Sequence, residues 1–224
     1  MRPFAVAAAV LLAVPAFAQS HLSDSSGVYV GVQSYPGPLP ETGASIGIRR
    51  ANGVDYGISG SIRHSDINSG LTVAPQAGYT RRLGDRTFAR LDLRLAYSRS
   101  AIRDDAFERL GYRYSGSGLA LDASAGLGRS YRLGGSFAVR PSLGVFVEAG
   151  RTLSWEQEGL DSAQDLEGDT YRSAGLRAEL PLTFRLFGTD AAVTSTYSRP
   201  VGGEWGARFT PRRDGLETSF RINL

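Results

Sequence analysis

From Thr87 to Tyr97 the chain reads Thr-Phe-Ala-Arg-Leu-Asp-Leu-Arg-Leu-Ala-Tyr, apolar at every odd position from Ala89, with Arg90, Asp92 and Arg94 between. Successive side chains of a strand point to opposite faces, so the segment predicts one aliphatic face and one charged face. A half-buried strand of a soluble protein fits that description. So does the wall of a membrane barrel, where the aliphatic face meets lipid and the charges line a polar interior. The remaining pattern separates the two.

Alternating segments with turn signals between them recur along the chain, and helical periodicity is hard to find. Val28, Val30 and Val32 open the series, and Gly-Pro-Leu-Pro follows at residues 37–40. Ile46 and Ile48 mark a second strand, and Asn52-Gly53 is a favoured hairpin turn. Val54, Tyr56, Ile58 and Ile62 share a face, as do Val73, Ala77 and Tyr79. After the opening strand come Leu119 to Leu127, Phe137 to Val147, Leu176 to Leu186, Val193 to Tyr197 and Leu216 to Leu224. This predicts an all-β chain of about ten strands, or eight if two weak ones merge, and even numbers are usual for single-chain bacterial barrels.

The connections sharpen the prediction. Those near residues 51–53, 81–86, 131–135 and 187–190 read as short, those near 36–41, 64–70, 99–115, 151–169 and 199–214 as longer. Short and long alternate, as periplasmic turns and extracellular loops do in outer-membrane barrels. Tyr56, Tyr79, Phe137 and Phe184 fall on apolar faces near the short turns, and Tyr97 and Tyr197 near the long loops. Two such groups fit interfacial aromatic girdles. Pro75 and Pro141 fall inside predicted strands, where a missing N–H suggests bulges or segments beyond the membrane.

Arg2, the apolar run Phe4 to Val14 and Ala16-Phe17-Ala18 match a secretory signal, predicting residues 1–18 as a cleaved leader and 19–224 as one barrel domain. The apolar run is shorter than the ~20 residues of a spanning helix. Cysteine is absent, so disulfides, zinc–thiolate sites and cysteine nucleophiles are excluded. The net charge of +3 comes from interspersed charges, without a basic tract of the kind nucleic acid requires.

With these features the chain resembles a small bacterial outer-membrane β-barrel of the OmpX/OmpA-like or porin-like type. Leu216-Glu-Thr-Ser-Phe-Arg-Ile-Asn-Leu224 resembles the C-terminal signal read by the barrel-assembly machinery, with Leu224 where family members usually carry an aromatic residue. The resemblance implies a transmembrane antiparallel up-and-down barrel in the cell outer membrane. It implies outer-membrane lipid and lipopolysaccharide as surroundings, the assembly machinery as a partner during insertion, and a monomer without cofactor.

On the predicted inward face lie Asp55, Arg63, Arg90, Asp92, Arg94, Asp122, Arg140, Glu148, Arg177, Glu179, Arg185, Glu217 and Arg221. They form either the charged constriction of an aqueous pore or an ion-pair network that fills a narrow barrel. A barrel of about eight to ten strands leaves room for little beyond side chains, which favours the filled interior. His64-Ser65-Asp66 brings to mind the His, Ser and acidic sets of lipid A deacylases, without their spacing. Asp104, Asp105 and His64 are candidates for a rim cluster like that of omptin-like proteases. Exposed loops carry charges anyway, and no catalytic residue, cofactor site or metal site is assigned. The acids Glu156, Glu158, Asp161, Asp165, Glu167 and Asp169 lack the spacing of a calcium loop and read as a solvated surface. Trp155, Tyr112 and Tyr114 are candidate contact residues. The expected role is structural or interactive through the long loops, ahead of a small-solute channel, a lipid- or peptide-cleaving barrel enzyme, and a soluble lipocalin-like barrel.

Overall fold

The long strands keep most of their Val, Leu and Ile on one side, and antiparallel pairing carries that side around a closed wall. The computed structural model describes residues 26–36, 40–64, 68–102, 113–134, 136–158, 168–204 and 215–224. Among them are β1 (Gly27–Tyr35), β2 (Glu41–Arg49), β3 (Val54–His64), β4 (Asn68–Arg82), β5 (Thr87–Ile102) and β6 (Arg113–Arg129). Then follow β7 (Tyr131–Gly134), β8 (Phe137–Val139), β9 (Ser142–Glu158), β10 (Thr170–Leu186), β11 (Thr189–Glu204) and β12 (Gly215–Asn223).

These twelve segments make ten staves. β7 prolongs β6 and β8 prolongs β9, because the pairs Gly128 with Ser142 and Tyr131 with Val139 share one register. β10 meets β9 through Glu179 and Ser142 and, in the same register, β8 through Leu182 and Val139. Successive staves pair antiparallel, and β1 pairs with β12 from Tyr29–Asn223 to Ser34–Thr218 to close the barrel. Closure matters because an unpaired peptide group in hydrocarbon costs several kcal/mol, on the order of a whole hydrogen bond.

The two faces are inverted relative to a soluble protein. Leu143, Val145 and Val147 are 64, 56 and 56% exposed on the outside, and Leu91, Leu176 and Leu180 stand out likewise. Inside, buried arginines, carboxylates, serines and threonines outnumber the buried apolar residues, which are mostly Ala with Tyr29, Phe88, Phe146 and Tyr171. An apolar belt of this extent is untenable in water and suits lipid.

The inner aromatics seat on glycines. The Tyr29 ring lies where a side chain at Gly47 would stand, and Tyr171 occupies the equivalent space over Gly150. Phe88 over Gly128 and Phe146 over Gly175 repeat the arrangement. Each ring covers backbone that glycine leaves bare and locks two staves together.

Several boundaries differ from the sequence expectation. β3 and β4 are separated by residues 65–67 alone, so the predicted loop at 64–70 is largely strand. β5 and β6 reach Ile102 and Arg113, β9 continues to Glu158 and β11 to Glu204, which shortens the loops predicted at 99–115, 151–169 and 199–214. Pro75 pairs in register with Ile58 without a bulge. Pro141 lies in the break between β8 and β9. Register shifts fall instead at Leu153 of β9, facing Ser117 and Gly118, at Val201 of β11, facing Ala174 and Gly175, and between Arg132 and Gly134 in the β7–β8 pair.

Candidate functional site

Among the described residues, the lumen gathers charged side chains from several staves. Strand parity puts Asp92 and Arg94 of β5, Asp122 of β6, Glu148 of β9 and Arg177 and Glu179 of β10 inside. β6 and β9 lie between β5 and β10, so contacts from β5 to β10 cut across the lumen.

One such contact, and a second from β6 to β10 over β9, dominate. Arg90 Nη1 donates to Glu179 Oε2 at 3.1 Å, while its Nε lies 2.6 Å from Asp92 Oδ2. Arg177 grips Asp122 with two parallel bonds, Nη1 to Oδ1 at 3.0 Å and Nη2 to Oδ2 at 2.8 Å. This forked geometry is the strong form of an arginine–carboxylate pair. Arg177 also donates through Nε to Ser198 Oγ at 3.2 Å, and its guanidinium lies 5.0 Å from the Phe146 ring centre.

Asp122 and Glu148 are direct neighbours in the β6–β9 ladder, two carboxylates side by side. The Arg177 fork compensates the first, and the Tyr171 hydroxyl donates to the second. Arg94 is buried and stands opposite Asp122 in the β5–β6 register. Arg221 lies 5.0 Å from the Tyr29 ring centre. Ser142 Oγ adds a bond of 3.4 Å to Glu179. A void of about 10 Å³ lies among Arg90, Asp92, Arg177 and Glu179. That is room for about one water molecule at most.

Toward the long-loop end hydroxyl groups join the ion pairs in the interior. Thr72 and Ser98 share a bond of 3.0 Å, Ser117 and Ser154 one of 2.7 Å, and Ser61 donates to Glu41, which also pairs with Arg63 at 3.2 Å. Sequence reasoning did not single out these hydroxyls or the inner tyrosines. The parity of the strands was the available signal.

Other expected residues sit elsewhere. Arg185 is 68% exposed at a short turn and pairs with Asp190 at 3.5 Å, outside the lumen. The predicted parity was right, but the stave ends before enclosing it. Arg140 is half-buried in the break after β8, its N–H donating to Pro181 O at 2.9 Å, and Glu217 is half-buried on β12. Asp55 is 1% exposed opposite Arg49 in the β2–β3 ladder. His64 is exposed at the end of β3, on the outer face opposite buried Arg63, so it does not join the lumen. Ser65, Asp66, Asp104, Asp105 and Tyr112, the loop acids Asp161, Asp165 and Glu167, and the expected leader lie outside the described residues. Among the described residues no group of three or more His, Asp or Glu is placed to hold a metal ion, and no helix is long and apolar enough to cross a membrane.

No protein-family profile matches the chain, and no curated protein sequence does either. Among solved structures, the translocator domain of the autotransporter NalP from Neisseria meningitidis superposes with a TM-score of 0.60 at 12% identity, covering 89% of this chain and 87% of that one. The β domain of the Bordetella autotransporter BrkA aligns over 88% of this chain and 97% of its own, with 15% identity and a TM-score of 0.47. At such identities the likeness is one of architecture: this chain has the fold of the bacterial outer-membrane β-barrels.

Proposed function

We propose that the protein is an integral outer-membrane barrel whose lumen is closed by its own ion pairs, and that it acts structurally or by surface contact through its long-loop end. The observation that carries this is the pairing of Arg90 with Glu179 across the interior, next to the Arg177–Asp122 fork, inside a wall whose exposed face is aliphatic. A conducting pore needs a hydrated path, and these groups fill the waist with partners instead. The fold, the apolar belt and the signal-like N-terminus support placement in the outer membrane, with lipid and lipopolysaccharide around the wall. The assembly machinery is the expected partner in insertion, and ten closed staves need no second copy.

Planar-bilayer recording tests the closed lumen. The protein is expected to show no steady conductance, and the variant Arg90→Ser/Arg177→Ser to open measurable ion steps. Steady conductance in the unaltered protein overturns closure and favours the small-solute channel. The outer-membrane placement is tested separately: recovery in the soluble periplasmic fraction, without heat-modifiable gel mobility, overturns it.

A further inference from the structure

The short-turn mouth differs from the waist in one respect: its charge is almost all of one sign. The turns after β2 and β4 and the break before β9 surround a cavity of about 940 Å³. Arg50, Arg81, Arg82, Arg86, Arg132 and Arg140 line it, with buried Arg49 at its edge and Asp85 as the one acidic residue among its lining. Volumes of this order suit a small-molecule ligand.

The mouth is built rather than incidental. Thr80 N–H donates to Gly53 O at 3.0 Å, tying the β2–β3 turn to β4. Ser130 N–H donates to Arg86 O at 2.7 Å, tying the β4–β5 turn to the β6–β7 junction. The arginines therefore stand on a backbone that is mutually fixed. Arg50 is steadied further, donating to the Tyr56 hydroxyl at 3.3 Å with its guanidinium 5.4 Å from that ring centre.

Residue choice narrows the ligand. The chain contains no lysine, so all 25 basic residues are arginine. Guanidinium groups keep their charge at any physiological pH and offer forked donors that match phosphate oxygens two at a time. Guanidinium groups gathered around one space attract an anion into it, and salt weakens that attraction over ~8 Å. Several arginines around one space suit a compact anion with more than one negative charge better than a lone carboxylate.

We propose that the short-turn mouth binds a phosphate-bearing anion, either soluble or the headgroup of an anionic phospholipid in the leaflet beside it. This does not depend on whether the lumen conducts. The test uses the folded protein in zwitterionic detergent, titrated calorimetrically with inorganic pyrophosphate at constant ionic strength. The variant Arg81→Gln/Arg86→Gln, checked for retained heat-modifiable mobility, is expected to bind about tenfold more weakly or less, as expected for losing a charge-assisted contact. Arg132→Gln on exposed β7 provides a second variant with little role in the wall. In parallel, thermal unfolding is compared in phosphatidylglycerol and phosphatidylcholine nanodiscs. Saturable pyrophosphate binding that weakens in the variants supports a soluble ligand. A phosphatidylglycerol-dependent rise in unfolding temperature that the variants lose, without pyrophosphate binding, supports the headgroup. Neither effect, or either one undiminished in the variants, overturns the proposal.

Discussion

Arg177 holds the charge balance of the waist, because it stands between carboxylates that would otherwise repel. Replacing it with Leu removes the fork from Asp122 beside Glu148 and leaves the ladder neighbour Arg94 to face both carboxylates. Removing one partner of a buried pair costs about 3–5 kcal/mol. The unfolding midpoint of Arg177→Leu in urea is expected to fall accordingly, and Arg177→Leu/Asp122→Leu to regain most of the loss. A double variant as weak as the single one would show that packing, rather than charge, is at stake. The seating of Tyr171 on Gly150 makes a different prediction: Gly150→Val removes the space the ring fills, and with it the donor to Glu148. It is expected to destabilise the barrel by several kcal/mol, on the order of an aromatic lost from a core. A change below about 1 kcal/mol, the size of a surface effect, would argue against the joint. The sequence exposed Arg177, Asp122 and Glu148 as inward through parity alone. It did not reveal who pairs with whom, since that depends on strands distant in sequence meeting across a lumen. The arginines of the mouth were harder still, because they come from separate turns and nothing local announces that those turns share a cavity.

Strands were legible where one face meets lipid and illegible where neither does. In β5 the alternation of Leu91, Leu93 and Leu95 with charged residues is plain. Above Tyr97 the ladder continues through Ser98, Arg99 and Ser100, polar on both faces, and the sequence reads as loop. The long-loop ends of β9 and β11 also run past the membrane, their 17 and 16 residues exceeding the ~10 that span a bilayer, and there Leu153 and Val201 interrupt the alternation as extra residues in the ladder. Pro75 misled for a related reason: its buried seat opposite Ile58 keeps the register, and a missing N–H need not force a bulge. The lipid-facing assignment predicts that Val145→Arg costs about 2–4 kcal/mol near mid-membrane and less near the girdles. Unfolding from lipid vesicles measures this, and a variant as stable as the parent would place that face in water.

At the scale of the whole molecule, the expected alternation of short and long connections fails at 65–67, which is no longer than the turns at 50–53 and 83–86. Strand number and inverted faces agree, which is why the barrel could be read from one sequence. What the lumen and mouth do could not, since function there rests on geometry that no single segment carries. The pairing of β1 with β12 has its own consequence for how the molecule reaches this state. Nearly the full length of the described chain separates Tyr29 from Asn223, yet they are ladder partners. The seam therefore forms only after every other stave is available, at the largest loop-closure entropy the topology allows. Until then two open edges remain, each able to pair with another chain. Closure of this seam is therefore the expected slow step of folding. A barrel of this connectivity owes its persistence to kinetics as much as to the depth of its energy minimum.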